Sequence, residues 1–150
     1  LRSKVTSSKT PSPHDAQFPR KVQACGICRV HASTKKCPCP RIPHPLVPGP
    51  ECAGLIAELG AGVSVLKTGQ RVGVGWHGGQ DGVCISCRRG DFGNCEKLLI
   101  PGVIYDGGYA ESVIVPIQAL ASSPESLAPA DTAPLLCAGL RPFTAFRHPA

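Results

Sequence analysis

Proline and glycine occur so densely along this chain that long helices are excluded from most of it. Six prolines fall within residues 37–50, and the 150 residues include 16 prolines and 17 glycines in all. Proline lacks a backbone N–H and fixes φ, and glycine is costly in a helix interior, so both favour turns between short segments. Residues 37–50 are therefore predicted to form a surface loop, and we expect a fold of many short strands.

Several segments have the apolar composition of such strands. In residues 71–76, Val72 and Val74 alternate with glycine, and glycine inside a strand indicates tight curvature or close approach of another backbone. Short strands at this spacing favour a barrel or a sandwich. The predicted strands are residues 20–25, 53–59 (closed by a turn at 60–62), 71–76, 109–115 and 119–121.

The C-terminal part of the sequence changes to a helical pattern. Asp131 or Thr132 can cap a helix that has Pro134 in its first turn. Apolar residues then recur at i, i+4 and i+7 and predict one buried stripe; they are Leu136, Leu140 and Phe143. Pro142 interrupts the pattern, so two short helices are predicted.

Positive charge is concentrated near the N-terminus. Residues 1–36 hold eight Lys or Arg and one acid, whereas the other 114 residues hold eight bases and nine acids. Residues 1–19 are predicted to be a flexible basic leader, with a transit-peptide remnant as the alternative, and residues 20–150 to be one domain. The near-neutral body disfavours nucleic-acid binding, and no apolar run approaches the roughly 20 residues that span a bilayer. Because the sequence contains no methionine, we expect a fragment or a processed product.

The most specific local pattern lies in residues 81–95. Cys84 and Cys87 are separated by two residues, Cys95 follows after seven more, and Asp81 precedes Cys84 at the same spacing as the cysteine pair. Zinc takes four tetrahedral ligands from such side chains, so these four residues are predicted to hold one ion that fixes the loop and performs no chemistry. The alternative is three unrelated buried cysteines. An odd total of nine cysteines does not fit a secreted disulfide framework, so we expect a cytoplasmic protein.

Several segments together resemble the zinc-dependent medium-chain alcohol dehydrogenases. Residues 47–54, VPGPECAG, match the family's V-P-G-H-E-x-x-G, and residues 69–76, GQRVGVGW, match its G-D-R-V-G-V-G-W strand. The resemblance covers residues 20–148 in the family's order, and it also rests on residues 84–95, 105–111 and 133–139. It implies a mainly β, GroES-like barrel with a structural-zinc loop and short C-terminal helices. The family's Rossmann domain is expected to be absent from this chain, because no G-x-G-x-x-G follows a strand.

The resemblance also implies ligands for two zinc ions. The structural ion would be held by Asp81, Cys84, Cys87 and Cys95, with Asp81 in place of the family's usual cysteine. The family's catalytic zinc, a Lewis acid for the alcohol, would lie between Cys28 and Cys137. The histidine that completes that set is replaced by Pro50, which has no donor atom, and Glu51 is implied as a substitute ligand.

Four further positions concern the cofactor and the proton. By the resemblance, Arg29 matches an arginine that contacts the cofactor pyrophosphate in some members, and Arg141 replaces a threonine near the nicotinamide. Val30 replaces the hydroxyl residue that relays the alcohol proton, and His31 replaces the aspartate that orients the ligand histidine. NAD(P) is expected only if a Rossmann domain is present, and this chain alone is expected to be weakly active or inactive.

Two functions therefore remain open. The first is oxidoreduction between a small-molecule alcohol and its aldehyde or ketone, as the zinc-binding catalytic domain of an NAD(P)-dependent alcohol dehydrogenase. The second is a non-catalytic, zinc-stabilised binding module. Neither nucleic acid nor a membrane is expected as a partner, and self-association into a homo-oligomer is left open.

Overall fold

The computed structural model describes residues 17–29, 42, 45–59 and 63–147, and these residues form a mainly β structure. A five-stranded antiparallel sheet curls into a half-barrel with the strand order β4-β1-β2-β3-β5. The strands are β1 (Gln17–Cys25), β2 (Cys52–Ile56), β3 (Arg71–Val74), β4 (Ser112–Pro116) and β5 (Ala121–Ser122). The predicted fold class is confirmed.

The strand predictions identify every strand but misplace several of their ends. β1 begins at Gln17 rather than at residue 20, because its first residues pair with β4. β4 begins at residue 112 rather than 109, since the Tyr109 N–H donates to the Pro48 carbonyl of a neighbouring loop. The predicted leader to residue 16 and the turn at 60–62 lie outside the described residues. The described part of the proline-rich segment, residues 42 and 45–50, contains neither helix nor strand.

The core lies against the sheet, and in β4 buried residues alternate with more exposed ones. In β4, Val113 and Val115 are buried while Ser112, the first residue of the strand, is exposed, as the two-residue period of a strand requires. The buried cluster joins three strands and the 3₁₀ turn after β4; its members are Cys52, Val74, Val113, Val115 and Ala119.

Two glycines in and just after β3 allow a helical segment to pack closely against the sheet. A Cβ on Gly73 would collide with the side chain of Leu136, and a Cβ on Gly75 would collide with the Leu136 carbonyl group. The expectation that glycine marks a close approach is confirmed here, because the helix backbone lies directly over the strand.

The C-terminal helical segment differs from its prediction in where its first helix begins and in which of its residues are buried. Helix α2 (Pro129–Pro134) begins at Pro129, so Pro134 lies at its end and not in its first turn. A π-helical turn (Leu135–Gly139) then leads into α3 (Leu140–Arg147), with Pro142 near its start. The remaining helix, α1 (Ile85–Arg88), lies in the loop between β3 and β4.

The predicted buried stripe on this segment is wrong beyond Leu136. Leu140 is 48% exposed and Phe143 is 56% exposed, whereas Thr132, Ala133 and Cys137 are buried. A π-helical turn inserts an extra residue into the helical repeat, so the face that follows it rotates away from the sheet. No helix in the described part of the chain has the length and apolarity that crossing a bilayer requires.

Candidate metal centre and the strand-end cluster

The four predicted ligands of residues 81–95 meet at one point. One ligand atom from each of Asp81, Cys84, Cys87 and Cys95 lies within 4.8 Å of the others, and we call this group the loop cluster. The Sγ atoms of Cys84 and Cys95 are 4.0 Å apart. Zn–S bonds of about 2.3 Å in a tetrahedron place two sulfurs about 3.8 Å apart, so the spacing fits zinc.

Local backbone structure brings these side chains together. The single turn of α1 has the Arg88 N–H donating to the Cys84 carbonyl at 3.0 Å, which places Cys84 and Cys87 on one face. Gly82 has a φ of 70° and thereby turns the chain between Asp81 and Cys84. Cys95 enters from a 3₁₀ turn (Phe92–Asn94), and its sulfur accepts the Asp81 N–H at 3.4 Å.

The Asp81 carboxylate is fixed toward the sulfurs. Its Oδ1 accepts the backbone N–H groups of Val83 at 3.0 Å and Cys84 at 3.1 Å. These two bonds, the Cys84 bond first, hold the pKa of Asp81 well below its usual range, and the thiols of Cys87 and Cys84 also donate to the carboxylate. An ionised carboxylate that faces three sulfurs is a donor set suited to one divalent ion.

The thiols of the loop cluster differ in acidity. Backbone N–H groups of Cys87 and Glu96 lower the pKa of Cys84, whereas desolvation raises the pKa of Cys87 to about 12, with smaller contributions from the neighbouring thiols. A coordinating thiol is deprotonated by the metal, so a bound ion would convert all three to thiolates. The exposed Arg88 ends α1, the exposed Arg89 follows it, and both bring positive charge to the loop.

A second group, the strand-end cluster, consists of Cys28, Glu51 and Cys137. Cys28 follows the end of β1, Glu51 immediately precedes β2 and is 4% exposed, and Cys137 lies in the π-helical turn. Gly26 makes room for the acid, since a Cβ there would lie 2.8 Å from the Glu51 Cδ. Three separate segments thus deliver these side chains to one region.

Contacts and charges connect the members of the strand-end cluster. Desolvation raises the pKa of Cys137 to about 11, electrostatic interaction with Cys28 and Glu51 adds to the shift, and Cys137 also forms a hydrogen bond with Cys28. The Arg141 guanidinium acts in the opposite direction on the same thiol. Desolvation, followed by the charges of Cys25, Glu51 and Cys28, also raises the pKa of Tyr109.

The strand-end cluster does not form a gathered ligand set. Among the described residues, only the loop cluster brings three or more candidate ligand atoms within 4.8 Å of one another. Pro50, which the resemblance aligns with a ligand histidine, is fully buried and has no donor atom. The residues present therefore do not fit a catalytic zinc ion, and no chemical step is derived through one.

The other predicted positions divide between described and undescribed residues. Arg29 is exposed just after β1, and Arg141 is exposed near the start of α3. Val30 and His31 lie outside the described residues.

Three residues near the strand-end cluster had no role predicted from the sequence; they are Cys25, Cys52 and Tyr109. Cys25 pairs with Cys52 across β1 and β2, and the Tyr109 hydroxyl donates to the Gly26 carbonyl at 3.1 Å. No local sequence signal indicates this grouping, because it depends on strand register.

Comparisons with known proteins agree with the fold. Residues 18–125 match the family described as alcohol dehydrogenase GroES-like domain. Over 130 residues the chain is 42% identical to the alcohol dehydrogenase patD of Penicillium expansum, a match that covers 85% of this chain and 37% of that protein. The chain thus spans little more than a third of the length of this curated relative.

Two solved structures have the same fold. The D-arabinose dehydrogenase of Sulfolobus solfataricus superposes with a TM-score of 0.82 at 30% identity, over 93% of this chain and 43% of that one. A cobalt- and zinc-bound thermostable alcohol dehydrogenase of Pyrobaculum aerophilum gives 0.80 at 27% identity, over the same shares of both chains. Together with the family match, these likenesses show that the chain belongs to the alcohol dehydrogenase GroES-like domain family of the zinc-dependent medium-chain alcohol dehydrogenases.

Proposed function

We propose that residues 20–150 are the zinc-binding catalytic domain of an NAD(P)-dependent alcohol dehydrogenase in which the structural zinc loop is kept and the catalytic zinc set is degraded. Family membership supports the ancestral reaction, oxidoreduction between a small-molecule alcohol and its aldehyde or ketone. The observation that carries the proposal is the contrast between the two clusters. Four ligand atoms gather in the loop, whereas Cys28, Glu51 and Cys137 do not gather.

The loop cluster would hold a structural zinc ion. Its four ligands leave no open coordination position, and catalytic zinc sites keep such a position for water or substrate. Asp81, Cys84, Cys87 and Cys95 would therefore fix the connection between β3 and β4 without taking part in the reaction. Zinc bound there contributes directly to the stability of the fold.

The strand-end cluster retains groups that could contact a substrate. Glu51 is buried, Cys28 and Cys137 form a hydrogen bond, and the Tyr109 hydroxyl is fixed nearby by its bond to Gly26. Arg29 is exposed after β1, where it could contact the pyrophosphate of NAD(P) if a nucleotide-binding domain adjoins this one. Without a histidine at position 50, these groups orient and exclude water but supply no metal-based activation.

An activity assay tests this proposal. The zinc-loaded chain is incubated with NAD⁺ or NADP⁺ and a set of primary and secondary alcohols, and formation of the reduced nicotinamide is followed by its absorbance. We expect no turnover above the protein-free blank, because the metal ligand and the proton path are both altered and NAD(P) binding is expected only where a Rossmann domain is present. Turnover by the unmodified chain that is lost on Cys28→Ser substitution would show that the strand-end cluster is catalytically competent.

Restoring the missing ligand tests the assignment of Pro50. Pro50→His is expected to raise the zinc content from about one ion per chain to about two, because it adds an imidazole between Cys28 and Cys137. Pro48→His, in the same loop but outside the proposed set, is the control and should leave the content at about one. An unchanged content in Pro50→His would contradict the assignment.

A non-catalytic binding module stabilised by zinc is the second candidate, favoured by the same failure of the strand-end cluster to gather. The coding sequence downstream of Ala150 separates the two. A strand followed by a glycine-rich turn and a helix would favour the dehydrogenase, and an early stop would favour the module. For either function, we place the protein in the cytoplasm, where the thiols of the loop cluster would remain reduced and able to bind a metal.

A further inference from the structure

Cys25 and Cys52 lie directly opposite each other on β1 and β2. The neighbouring pair is hydrogen-bonded, since the Gly26 N–H donates to the Glu51 carbonyl at 2.9 Å. Hydrogen-bonded and non-hydrogen-bonded pairs alternate along an antiparallel ladder, so Cys25 and Cys52 form a non-hydrogen-bonded pair. The Cα atoms of such a pair are about 4.5 Å apart, which lies within the range that a disulfide spans.

The two sulfurs also lie on the same side of the sheet. The position that a Cβ on Gly108 would occupy is 3.0 Å from the Cys25 Sγ and 3.1 Å from the Cys52 Sγ. The two sulfurs are therefore within about 6 Å of each other, under a residue that has no side chain to insert between them.

Local spacing alone would suggest a different partner for Cys25. Cys25 and Cys28 form a C-x-x-C sequence, the spacing of many redox-active pairs. In the structure, however, Cys28 forms its hydrogen bond with Cys137, and the residue opposite Cys25 is Cys52. Strand register, and not sequence distance, thus selects the pair.

We propose that Cys25 and Cys52 are a redox-active dithiol that forms a cross-strand disulfide. A low-molecular-weight disulfide such as glutathione disulfide is the oxidant. The Cys25 thiolate attacks one of its sulfurs, forms a mixed disulfide and releases one thiol; the Cys52 thiolate then attacks the Cys25 sulfur and releases the second. Two protein thiols lose two protons and two electrons, and one small disulfide becomes two thiols.

The bond would join β1 to β2 at the end that delivers Cys28 and Glu51. Cys25 precedes Gly26 and Cys52 follows Glu51, so the disulfide fixes the spacing of the strands where the strand-end cluster begins. It also closes the loop from residue 25 to residue 52, which restricts the unfolded chain. The inference does not depend on the proposed function, because it concerns the strand pair alone.

Peptide mapping under non-reducing conditions tests the proposal. The full chain, loaded with zinc so that the loop cluster is protected, is incubated with glutathione disulfide at about pH 9, where a larger fraction of each thiol is ionised than at neutral pH. Free thiols are then alkylated and the chain is digested with trypsin. Cleavage after Lys21 and Arg29 yields peptide 22–29, and cleavage after Arg41 and Lys67 yields peptide 42–67, whose single cysteine is Cys52.

We expect a linked pair of peptides 22–29 and 42–67 that dithiothreitol separates. Because peptide 22–29 contains two cysteines, variants identify the one involved: the link should persist in Cys28→Ser and disappear in Cys25→Ser. The melting temperature of the oxidised chain should be several degrees above that of the reduced chain, with no such difference in Cys25→Ser.

Two results would overturn the proposal. One is an internal disulfide within peptide 22–29, which would show that Cys25 pairs with Cys28. The other is complete alkylation of Cys25 and Cys52 in a folded chain after oxidant treatment. The map of the unmodified chain distinguishes these results, so the test stands even if a cysteine variant fails to fold.

Discussion

Asp81 completes, with an oxygen, a ligand set that is otherwise made of sulfur. Its carboxylate is held by the N–H groups of Val83 and Cys84 and faces the thiols, so it is oriented before any ion binds. Preorganisation of this kind lowers the ordering cost of binding. We therefore expect the site to bind its metal with aspartate in this position.

Substituting this aspartate should weaken zinc binding. Asp81→Ala removes one ligand and the two backbone bonds, and we expect zinc affinity to fall at least about tenfold, since loss of a mere outer-shell partner already costs that much. Competition with a chromophoric chelator measures the affinity. Asp91→Ala is the matched control, because Asp91 is an exposed acid of the same loop that bonds Asn94, and it should leave affinity unchanged. Equal losses in the two variants would contradict a ligand role for Asp81.

Cys25 is a second residue whose surroundings have a measurable consequence. Desolvation, together with the charges of Cys52 and Glu51, raises its pKa from 9.0 to about 12, although a backbone bond partly offsets the shift. The folded chain thus holds this proton more tightly than the unfolded chain does. The resulting stability is present below pH 9 and is lost as the pH rises toward about 12.

Urea denaturation at increasing pH tests that consequence. The free energy of unfolding of the reduced chain should fall between about pH 9 and pH 11, and Cys25→Ala should fall less steeply. The free energy of unfolding of Cys25→Ala should still fall somewhat over this pH range, because the pKa of Cys137 is also raised in the folded chain. If both chains show the same slope, the thiol of Cys25 is not desolvated as described.

At the scale of elements, the strands fit together through glycines at points of contact. A Cβ on Gly54 of β2 would collide with the Lys21 carbonyl group of β1, which is backbone and cannot move aside cheaply. β1 also carries a register shift between Val22 and Ala24 next to this contact. The local bend and the missing side chain together allow the two strands to lie close.

Gly54→Ala should therefore destabilise the sheet. We expect a loss of about 3 kcal/mol in the free energy of unfolding, the cost typical of overpacking. Gly93→Ala is the control, because a Cβ there meets nothing within 4 Å. Chemical denaturation of both variants gives the comparison, and a Gly54→Ala chain as stable as Gly93→Ala would contradict the close strand contact.

What the sequence could predict depends on how local each feature is. The loop cluster spans residues 81–95, so ligand spacing was enough to group its four members. The Cys25–Cys52 pair was missed, because it depends on a bulged register that no periodicity reveals. The exposure of Leu140 and Phe143 was missed because a π-helical turn interrupts the helical repeat.

At the scale of the whole molecule, the two clusters are held in position by different parts of the fold. The strand-end cluster is positioned by the sheet, where β1 ends and β2 begins. The loop cluster lies in the connection between β3 and β4, residues 75–111, which contains only one helical turn and a short 3₁₀ turn. Connections of this length with little secondary structure are uncommon in compact domains, so this one needs a local constraint. A metal ion held by four side chains would supply it.

The coordination of that ion is the most direct test of the account. X-ray absorption spectroscopy on the chain loaded with one equivalent of zinc should show three sulfur neighbours at about 2.3 Å and one oxygen neighbour at about 2.1 Å. In Asp81→Cys the spectrum should change to four sulfurs. A folded chain that retains no zinc, or a wild-type spectrum with four sulfurs or with nitrogen and oxygen alone, would contradict the assignment of Asp81, Cys84, Cys87 and Cys95 as one site.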